Sequence, residues 1–312
     1  MKVLFHYDAG EQLRRQLHDL KRQELDVVCC PEGQEEPFDS ELTDAEVIWH
    51  VLQPITADVI AKAPKLKLIQ KIGVGVNTID LEAAQARDIA VCNMPGTNSN
   101  AVAEMALLLM LSVLRRQNLL DDACRSGAWA LDSNTKESLG EIRGRRVGLI
   151  GFGAVPQILA PILEALGATV AYTSSTPKNV AYPFMQLDDL LQTSDIVSLH
   201  IPLTEATTAL IDKSRIARMK PGAILINTAR GALVDETALF SALESGALGG
   251  AGLDVFAEEP IVANNPLLAL NNVSVAPHVA WLTNETFARS IDIAVHNSLC
   301  ISSSQQMKHR VV

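Results

Sequence analysis

The stretch GFGAVP at residues 151–156 carries glycines at the spacing of a dinucleotide-binding turn. It follows the apolar run RRVGLI and precedes a helix-like segment, so the pattern predicts a strand, a tight turn and a helix. Gly151 permits the turn, and Gly153 lets the backbone approach a pyrophosphate. The N–H groups of Ala154 and Val155 at the helix start would bind that anion, because they have no intrahelical partner.

Pro156 departs from this fingerprint, since the pattern has a third glycine there. That glycine serves helix–strand packing, and a proline in the first helical turn breaks no intrahelical hydrogen bond. We therefore expect the departure to affect spacing more than chemistry. A second pair, Gly73 and Gly75 in IQKIGVGVN, also follows a strand-like run, but it lacks the helix and is not predicted to bind a dinucleotide.

The position that reads the ribose lies at the end of the next strand, about 20 residues further on. The stretch ATVAYTSSTPK has Ser174 and Ser175 there, followed by Thr176 and Lys178, where an acid would select NAD. Without a carboxylate to repel it, a 2′-phosphate can be accepted by hydroxyls and an amine. The sequence therefore favours NADP, with NAD possible. The alternative is a solvated polar turn without a cofactor role.

The composition indicates a globular protein large enough for two domains. The chain has 312 residues, of which 48% are hydrophobic and 20% charged. Its net charge of -10 excludes a general attraction for nucleic acid or an anionic membrane surface, so an anionic substrate needs a local cation. Five cysteines without a C-x-x-C pair, no apolar stretch of membrane-spanning length and no signal segment predict a soluble, cytoplasmic protein, and no metal site is expected.

The first hundred residues alternate short apolar runs with amphipathic segments. KVLF, LDVVC, AEVIWHVL, LKLIQKIG and IAVCNMP are predicted strands, and EQLRRQLHDLKRQ and TADVIAKAP are predicted helices. This alternation favours a parallel sheet with crossover helices. Residues 100–116 predict a long helix that is apolar on nearly every side, which would be buried between domains or against a second subunit.

A second α/β set begins after residue 145. Its predicted strands lie at about 146–151, 169–173, 195–199, 223–227, 250–254 and 273–276. Strands in series with helical crossovers predict a doubly wound nucleotide-binding sheet. A last amphipathic helix, ETFARSIDIAVHNSLC, is expected to return to the first domain. The predicted fold class is therefore α/β, with two doubly wound parallel-sheet domains.

Three further motifs follow in order, INTARGALVDETAL, GAGLDVFAEEP and VSVAPHVAW. Together with the fingerprint they resemble the D-isomer-specific 2-hydroxyacid dehydrogenase family over about residues 46–290. The resemblance implies a Rossmann NAD(P)-binding domain at residues 99–285, inserted into a flavodoxin-like substrate domain of residues 1–98 plus 286–312. It also implies an active site in the cleft between the domains and a homodimer formed through the helix at 100–116.

The resemblance places the catalytic groups at Arg230, Glu259 and His278. Reduction of a 2-oxo acid needs a hydride at C2, a proton on the carbonyl oxygen and a partner for the carboxylate. Arg230 can hold the carboxylate bidentately, and His278 titrates near neutral pH and can donate the proton. Glu259 would orient His278 and favour its charged form. Glu258 competes for this role, and only the position before Pro260 selects Glu259.

Further contacts are implied by the same resemblance. On the substrate side they are the N–H groups of Val74 and Gly75 in KIGVGVN, and Trp281, which would shape the pocket. The residues implied to contact the coenzyme are the backbone of Ala229, the side chain of Asp254, and His200, Pro202 and Thr207. For His200 a satisfied residue at a strand end is nearly as good an interpretation.

The expected activity is NAD(P)H-dependent reduction of a small 2-oxo acid, of the glyoxylate or hydroxypyruvate type, to the D-2-hydroxy acid. Trp281 after the catalytic histidine is typical of such reductases. A 3-phosphoglycerate dehydrogenase competes, since Lys71 could meet a phosphate, whereas a formate-type enzyme would have glutamine in place of Glu259. The non-catalytic alternative is a dinucleotide-sensing, corepressor-like binding module.

Overall fold

The apolar runs of the first hundred residues form a five-stranded parallel sheet. Its strands are β1 (Lys2–His6), β2 (Asp26–Cys30), β3 (Val47–His50), β4 (Leu68–Lys71) and β5 (Ala90–Cys92), in the order β2-β1-β3-β4-β5. Every residue of β3, β4 and β5 is buried, as expected where helices cover both faces of a sheet.

The second sheet has six parallel strands. These are β6 (Arg146–Ile150), β7 (Thr169–Thr173), β8 (Ile196–Leu199), β9 (Ile224–Asn227), β10 (Gly250–Leu253) and β11 (Val273–Val275), in the order β11-β10-β9-β8-β6-β7. The order reverses between β6 and β8, and such a reversal places ligands at the carboxyl ends of the strands. The prediction of two doubly wound parallel sheets is confirmed.

The computed structural model describes residues 1–303 and 305–312. Its helices are α1 (Glu11–Asp19), α2 (Glu35–Leu42), α3 (Ala57–Lys62), α4 (Leu81–Gln85), α5 (Ser99–Leu114), α6 (Gln117–Arg125), α7 (Ser133–Glu137), α8 (Ala154–Ala165), α9 (Leu187–Thr193), α10 (Lys213–Ile216), α11 (Glu236–Glu244) and α12 (Asn284–Cys300). None of the described helices is long and apolar enough to cross a membrane.

The chain divides into two compact units. The first contains Met1–Asn98 and Thr283–Val312, and the second contains Ser99–Leu282. The first unit therefore takes in α12, which packs against β4. It also takes in the end of the chain, where Arg310 forms an antiparallel bridge with Cys92 of β5.

Helix α5 is buried on one side only. It packs against α8 and β10 of the second unit, with Ala103, Ala106 and Met110 fully enclosed. Leu108 and Leu111 point away from this core and are 54% and 38% exposed. The sequence has apolar residues on every side of α5, but within the described chain only the side facing the core is covered.

Candidate active site

A histidine and a glutamate form a close pair after the last two strands of the second sheet. His278 follows β11, Glu259 follows β10, and the distance between His278 Nδ1 and Glu259 Oε2 is 2.6 Å. The second carboxylate oxygen of Glu259 accepts the N–H of Phe256 at 3.0 Å. Because Glu259 occupies Nδ1, the ring nitrogen left for other partners is Nε2. The side chains of His278 and Glu259 are 19% and 33% exposed.

Asp254 fixes the segment that carries His278. This fully buried carboxylate at the end of β10 accepts the N–H groups of Val279 and Ala280 at 2.8 and 2.9 Å. Its backbone carbonyl also accepts the N–H of His278. His278 adopts a left-handed φ of 55°, a conformation that costs energy for a residue other than glycine and that these contacts maintain. The indole N–H of Trp281 donates to the carbonyl of His278 at 3.1 Å.

Arg230 lies in the turn after β9. The buried side chain of Asn227 holds this turn, since its Nδ2 donates to the carbonyl of Arg230 and its Oδ1 accepts the N–H of Ala229. A Cβ on Gly231 would come within 1.9 Å of the Phe256 carbonyl, so the turn packs directly on the loop that carries Glu259. The structure thus brings Arg230, Glu259 and His278 to neighbouring strand ends, in the order that the sequence predicts.

The charges of these groups are interdependent. Burial would raise the pKa of Glu259, but the hydrogen bond and charge of His278, the Phe256 N–H and the Arg230 guanidinium together hold it below its usual value. Burial lowers the pKa of Arg230, and Glu259 opposes that effect. Burial also raises the pKa of Asp254, although its two N–H donors oppose the rise. The arrangement favours an ionised Glu259.

The glycine turn lies at the carboxyl end of β6. Gly151 has a φ of 96°, and a Cβ there would come within 2.4 Å of the His200 carbonyl oxygen. Gly153 caps α8 without a side-chain hydrogen bond, and a Cβ at Gly153 would meet no atom within 4 Å. Pro156 is buried in the first turn of α8, the place that the sequence predicts for it. The open, uncapped N–H groups at Ala154 and Val155 suit a pyrophosphate, so the residues present fit a dinucleotide.

The other predicted coenzyme residues lie at the carboxyl ends of β7 and β8. Ser174 follows β7, and its hydroxyl donates to the Thr176 carbonyl at 2.6 Å. The His200 ring lies 2.9 Å from the hydroxyl of Ser198, and burial lowers its pKa to about 4, so it is neutral at physiological pH. The Thr207 hydroxyl donates to the carbonyl of Pro202 at 2.8 Å and fixes that turn. Ser175 is exposed beside Ser174.

The predicted substrate loop belongs to the first unit and follows β4. Gly73 has a φ of 145°, and Val74 is 44% exposed. Within the described residues, nothing accepts a hydrogen bond from the N–H of Val74 or Gly75. The ammonium of Lys71 donates to the Val51 carbonyl, and the residue is only 5% exposed.

One supporting residue is not revealed by the sequence motifs. Glu236, the first residue of α11, accepts the N–H of Ala257 at 2.8 Å and the side-chain amide of Asn265 at 2.7 Å. It therefore ties down both ends of the loop that carries Glu259. In the sequence it looks like an ordinary acidic residue at a helix start, next to the capping residue Asp235.

Comparison with known proteins identifies the family. The family model described as "D-isomer specific 2-hydroxyacid dehydrogenase, NAD binding domain" matches residues 107–280, more than half of the chain. The chain is 37% identical to a glyoxylate reductase of Korarchaeum cryptofilum over 258 residues, 81% of this chain and 78% of that protein. It is 34% identical to a hydroxypyruvate reductase of Blautia hydrogenotrophica over 267 residues, 83% of this chain and 82% of that protein. A D-3-phosphoglycerate dehydrogenase of Mycobacterium leprae is 40% identical over 241 residues, 76% of this chain but 45% of that protein.

Solved structures agree with this result. A protein of Thermus thermophilus superposes with a TM-score of 0.91 at 37% identity, covering 100% of both chains. A formate dehydrogenase of Staphylococcus aureus in complex with NAD superposes with a TM-score of 0.90 at 27% identity, and the match covers 100% of this chain and 99% of that one. An acyclic imino acid reductase in complex with NADPH and D-Arg superposes with a TM-score of 0.87 at 29% identity, and the match covers 100% of both chains. The chain belongs to the D-isomer-specific 2-hydroxyacid dehydrogenase family and is an NAD(P)-dependent oxidoreductase.

Proposed function

We propose that this enzyme reduces a small 2-oxo acid of the glyoxylate or hydroxypyruvate type to the D-2-hydroxy acid, with His278 as the proton donor. The observation that carries the proposal is the 2.6 Å pair of His278 and Glu259, at the strand ends next to the one that carries Arg230. Two relatives named as reductases of these acids support the substrate class.

His278 performs the proton step. Its Nδ1 is held by Glu259, so Nε2 carries the proton that is donated to the carbonyl oxygen of the substrate. The ionised carboxylate of Glu259 fixes the ring orientation and stabilises the imidazolium before transfer. In the oxidation direction the same nitrogen accepts the proton from the hydroxyl group.

Arg230 and the substrate loop bind the carboxylate. The planar guanidinium can form two parallel hydrogen bonds with it and polarise the adjacent carbonyl. We assign the N–H groups of Val74 and Gly75 to the same carboxylate, because they are donors without an acceptor in the described protein. Trp281, 9% exposed and hydrogen-bonded to the carbonyl of His278, is assigned to the wall of the substrate pocket.

The coenzyme is held by the second unit, with NADP favoured over NAD. The bound nicotinamide supplies the hydride for C2. The glycine turn and the start of α8, at Gly151, Gly153, Ala154 and Val155, bind the pyrophosphate. The residues assigned to the remainder of the coenzyme are Ser174, Ser175, His200, Pro202, Thr207, the backbone of Ala229 and Asp254. The end of β7 presents hydroxyls and no carboxylate to the ribose, which supports NADP.

The proposal also assigns the domain boundaries and the oligomeric state. Residues 1–98 with 286–312 form the substrate domain, and residues 99–285 form the coenzyme domain. The enzyme is a homodimer through α5, because Leu108 and Leu111 leave an apolar face uncovered in the described chain.

A 3-phosphoglycerate dehydrogenase is the second candidate, favoured by the 40% identity with the Mycobacterium leprae enzyme. Against it, the Lys71 ammonium already donates to the Val51 carbonyl, and the residue is only 5% exposed. A formate-type reaction is disfavoured by the carboxylate of Glu259 on His278.

A substrate panel with both coenzymes tests the proposal. Purified enzyme with NADPH or NADH is given glyoxylate, hydroxypyruvate, pyruvate, phenylpyruvate and 3-phosphohydroxypyruvate, and loss of the reduced-nicotinamide absorbance is followed. We expect glyoxylate and hydroxypyruvate to have the highest kcat/KM, with NADPH preferred. A maximum with 3-phosphohydroxypyruvate would favour the second candidate. Coenzyme binding without turnover of any acid would support a binding module instead.

A further inference from the structure

We propose that Asn93 is a positioning residue for the substrate loop, and that the chain segment at residues 307–312 holds Asn93 in place. The inference rests on the proposed function, in which the N–H groups of Val74 and Gly75 bind the substrate carboxylate. The inference concerns what fixes the direction of these two N–H groups.

Two contacts from the segment after β5 fix the loop. The N–H of Met94 donates to the carbonyl of Gly73 at 2.8 Å, and the side-chain amide of Asn93 donates to the carbonyl of Val74 at 2.9 Å. The loop has no regular secondary structure of its own, and Gly73 takes a φ of 145° that only glycine adopts readily. Its orientation therefore depends on these neighbours.

The planarity of the peptide bond turns these contacts into control of the donors. In a trans peptide the C=O and the following N–H point in opposite directions. Met94 holds the peptide that contains the carbonyl of Gly73, and so aims the N–H of Val74 away from itself. Asn93 holds the next peptide, through the carbonyl of Val74, and so aims the N–H of Gly75. One asparagine side chain thus sets the direction of one of the two proposed carboxylate donors.

Asn93 is itself attached to the end of the chain. Its backbone N–H donates to the carbonyl of His309 at 3.1 Å, and the N–H of Val311 donates to the carbonyl of Val91 at 2.7 Å. These bonds pair the segment at 307–312 with the edge strand β5. No motif of the sequence points to this segment.

A buried amide network anchors the same segment. Asn297 of α12, which is fully buried, both accepts the N–H of Lys308 at 2.8 Å and donates to its carbonyl at 3.0 Å. It also donates to Oε1 of Gln70 at 2.6 Å, and Gln70 in turn donates to the carbonyls of Lys71 and Cys92. The segment is therefore linked to β4 and β5 at the strand ends from which the loop and Asn93 emerge.

The test is the KM for glyoxylate in variants of the holoenzyme. In Asn93→Ala the Gly75 peptide loses its restraint, and we expect this KM to rise about tenfold, the factor for one hydrogen bond, while the KM for NADPH and the melting temperature stay at parent values. In Asn93→Asp a carboxylate faces the Val74 carbonyl and the substrate anion, so the KM should rise further and fall again with added salt. The matched control is Asn272→Ala, which removes another amide-to-carbonyl bond, at 3.1 Å to Leu243, at the amino end of β11.

A truncated variant and a second measurement, amide exchange, complete the test. Removal of residues 309–312 should raise the same KM, because Asn93 loses its contact with the segment. Exchange of the Met94 backbone amide, whose N–H donates to the loop carbonyl of Gly73, should become faster in both variants and stay unchanged in Asn272→Ala, whatever the substrate is. Parent-like glyoxylate KM and amide exchange in Asn93→Ala would overturn the inference. If the parent enzyme reduces no 2-oxo acid, the proposed function fails, and the exchange measurement alone still decides whether Asn93 positions the loop.

Discussion

His278 is the residue whose replacement tests the proposed proton transfer most directly. We expect His278→Ala to lower kcat for glyoxylate reduction by about 10²–10⁴, because the carbonyl oxygen loses its proton donor. The dissociation constant for NADPH should not change, since the glycine turn at the end of β6 is untouched. Steady-state kinetics and coenzyme fluorescence titration measure the two quantities. His18→Ala, an exposed histidine of α1, is the control. Undiminished turnover in the first variant would remove His278 from its role.

Ser174 tests the coenzyme assignment. We expect Ser174→Asp to lower the kcat/KM ratio of NADPH to NADH at least about tenfold, because a carboxylate would then face the 2′-phosphate and could accept the ribose hydroxyls of NAD. The matched control is Ser138→Asp, which adds the same charge at the end of α7 and leaves the ends of β6, β7 and β8 untouched. An unchanged ratio in Ser174→Asp would mean that the ribose is bound elsewhere.

The loop between β10 and β11 depends on α11 through Glu236. In Glu236→Gln one of the two bonds, to Ala257 or to Asn265, must be lost, because the amide nitrogen cannot accept. The pair of Glu259 and His278 should loosen as a result. The His278 contacts that hold the pKa of Glu259 below its usual value then weaken, and burial raises it. The acid limb of the kcat/KM profile should therefore move to higher pH.

This shift of the acid limb distinguishes a positioning role from loss of folded enzyme, which would lower the rate equally at every pH. Glu244→Gln, at the exposed end of the same helix, is the matched control and should reproduce the parent profile. A Glu236→Gln profile with an unmoved acid limb would show that the loop keeps its shape without this contact.

The regular elements could be predicted from the sequence because their signals are local. Val-, Ile- and Leu-rich runs buried on both faces predict the six strands of the second sheet to within one residue at either end. The strand ends then predict the neighbourhood of Arg230, Glu259 and His278. Short polar helices such as α7 carry no hydrophobic periodicity and were not predicted.

Contacts between loops could not be predicted in this way. Asn93 reaches Val74 across 19 residues, and Glu236 reaches Ala257 across 21, through loop conformations that have no periodic pattern. The pairing of the chain end with β5 depends on the open edge of that strand, and KHRVV itself gives little strand signal. These contacts support the site rather than form it, and motif spacing does not reveal them.

At the scale of the whole molecule, the exposed apolar face of α5 predicts a homodimer. Leu108 and Leu111 are one helical turn apart on the side opposite the core. Burying them against a second copy of the same face would remove apolar surface from water, whereas Leu108→Glu would place a charge there. We expect the parent to have twice the mass of the chain by light scattering, and Leu108→Glu to have the mass of one chain. Leu166→Glu, a 43% exposed leucine at the end of α8, should leave the mass of the parent unchanged. A monomeric parent, or a dimer that survives Leu108→Glu, would exclude α5 as the interface.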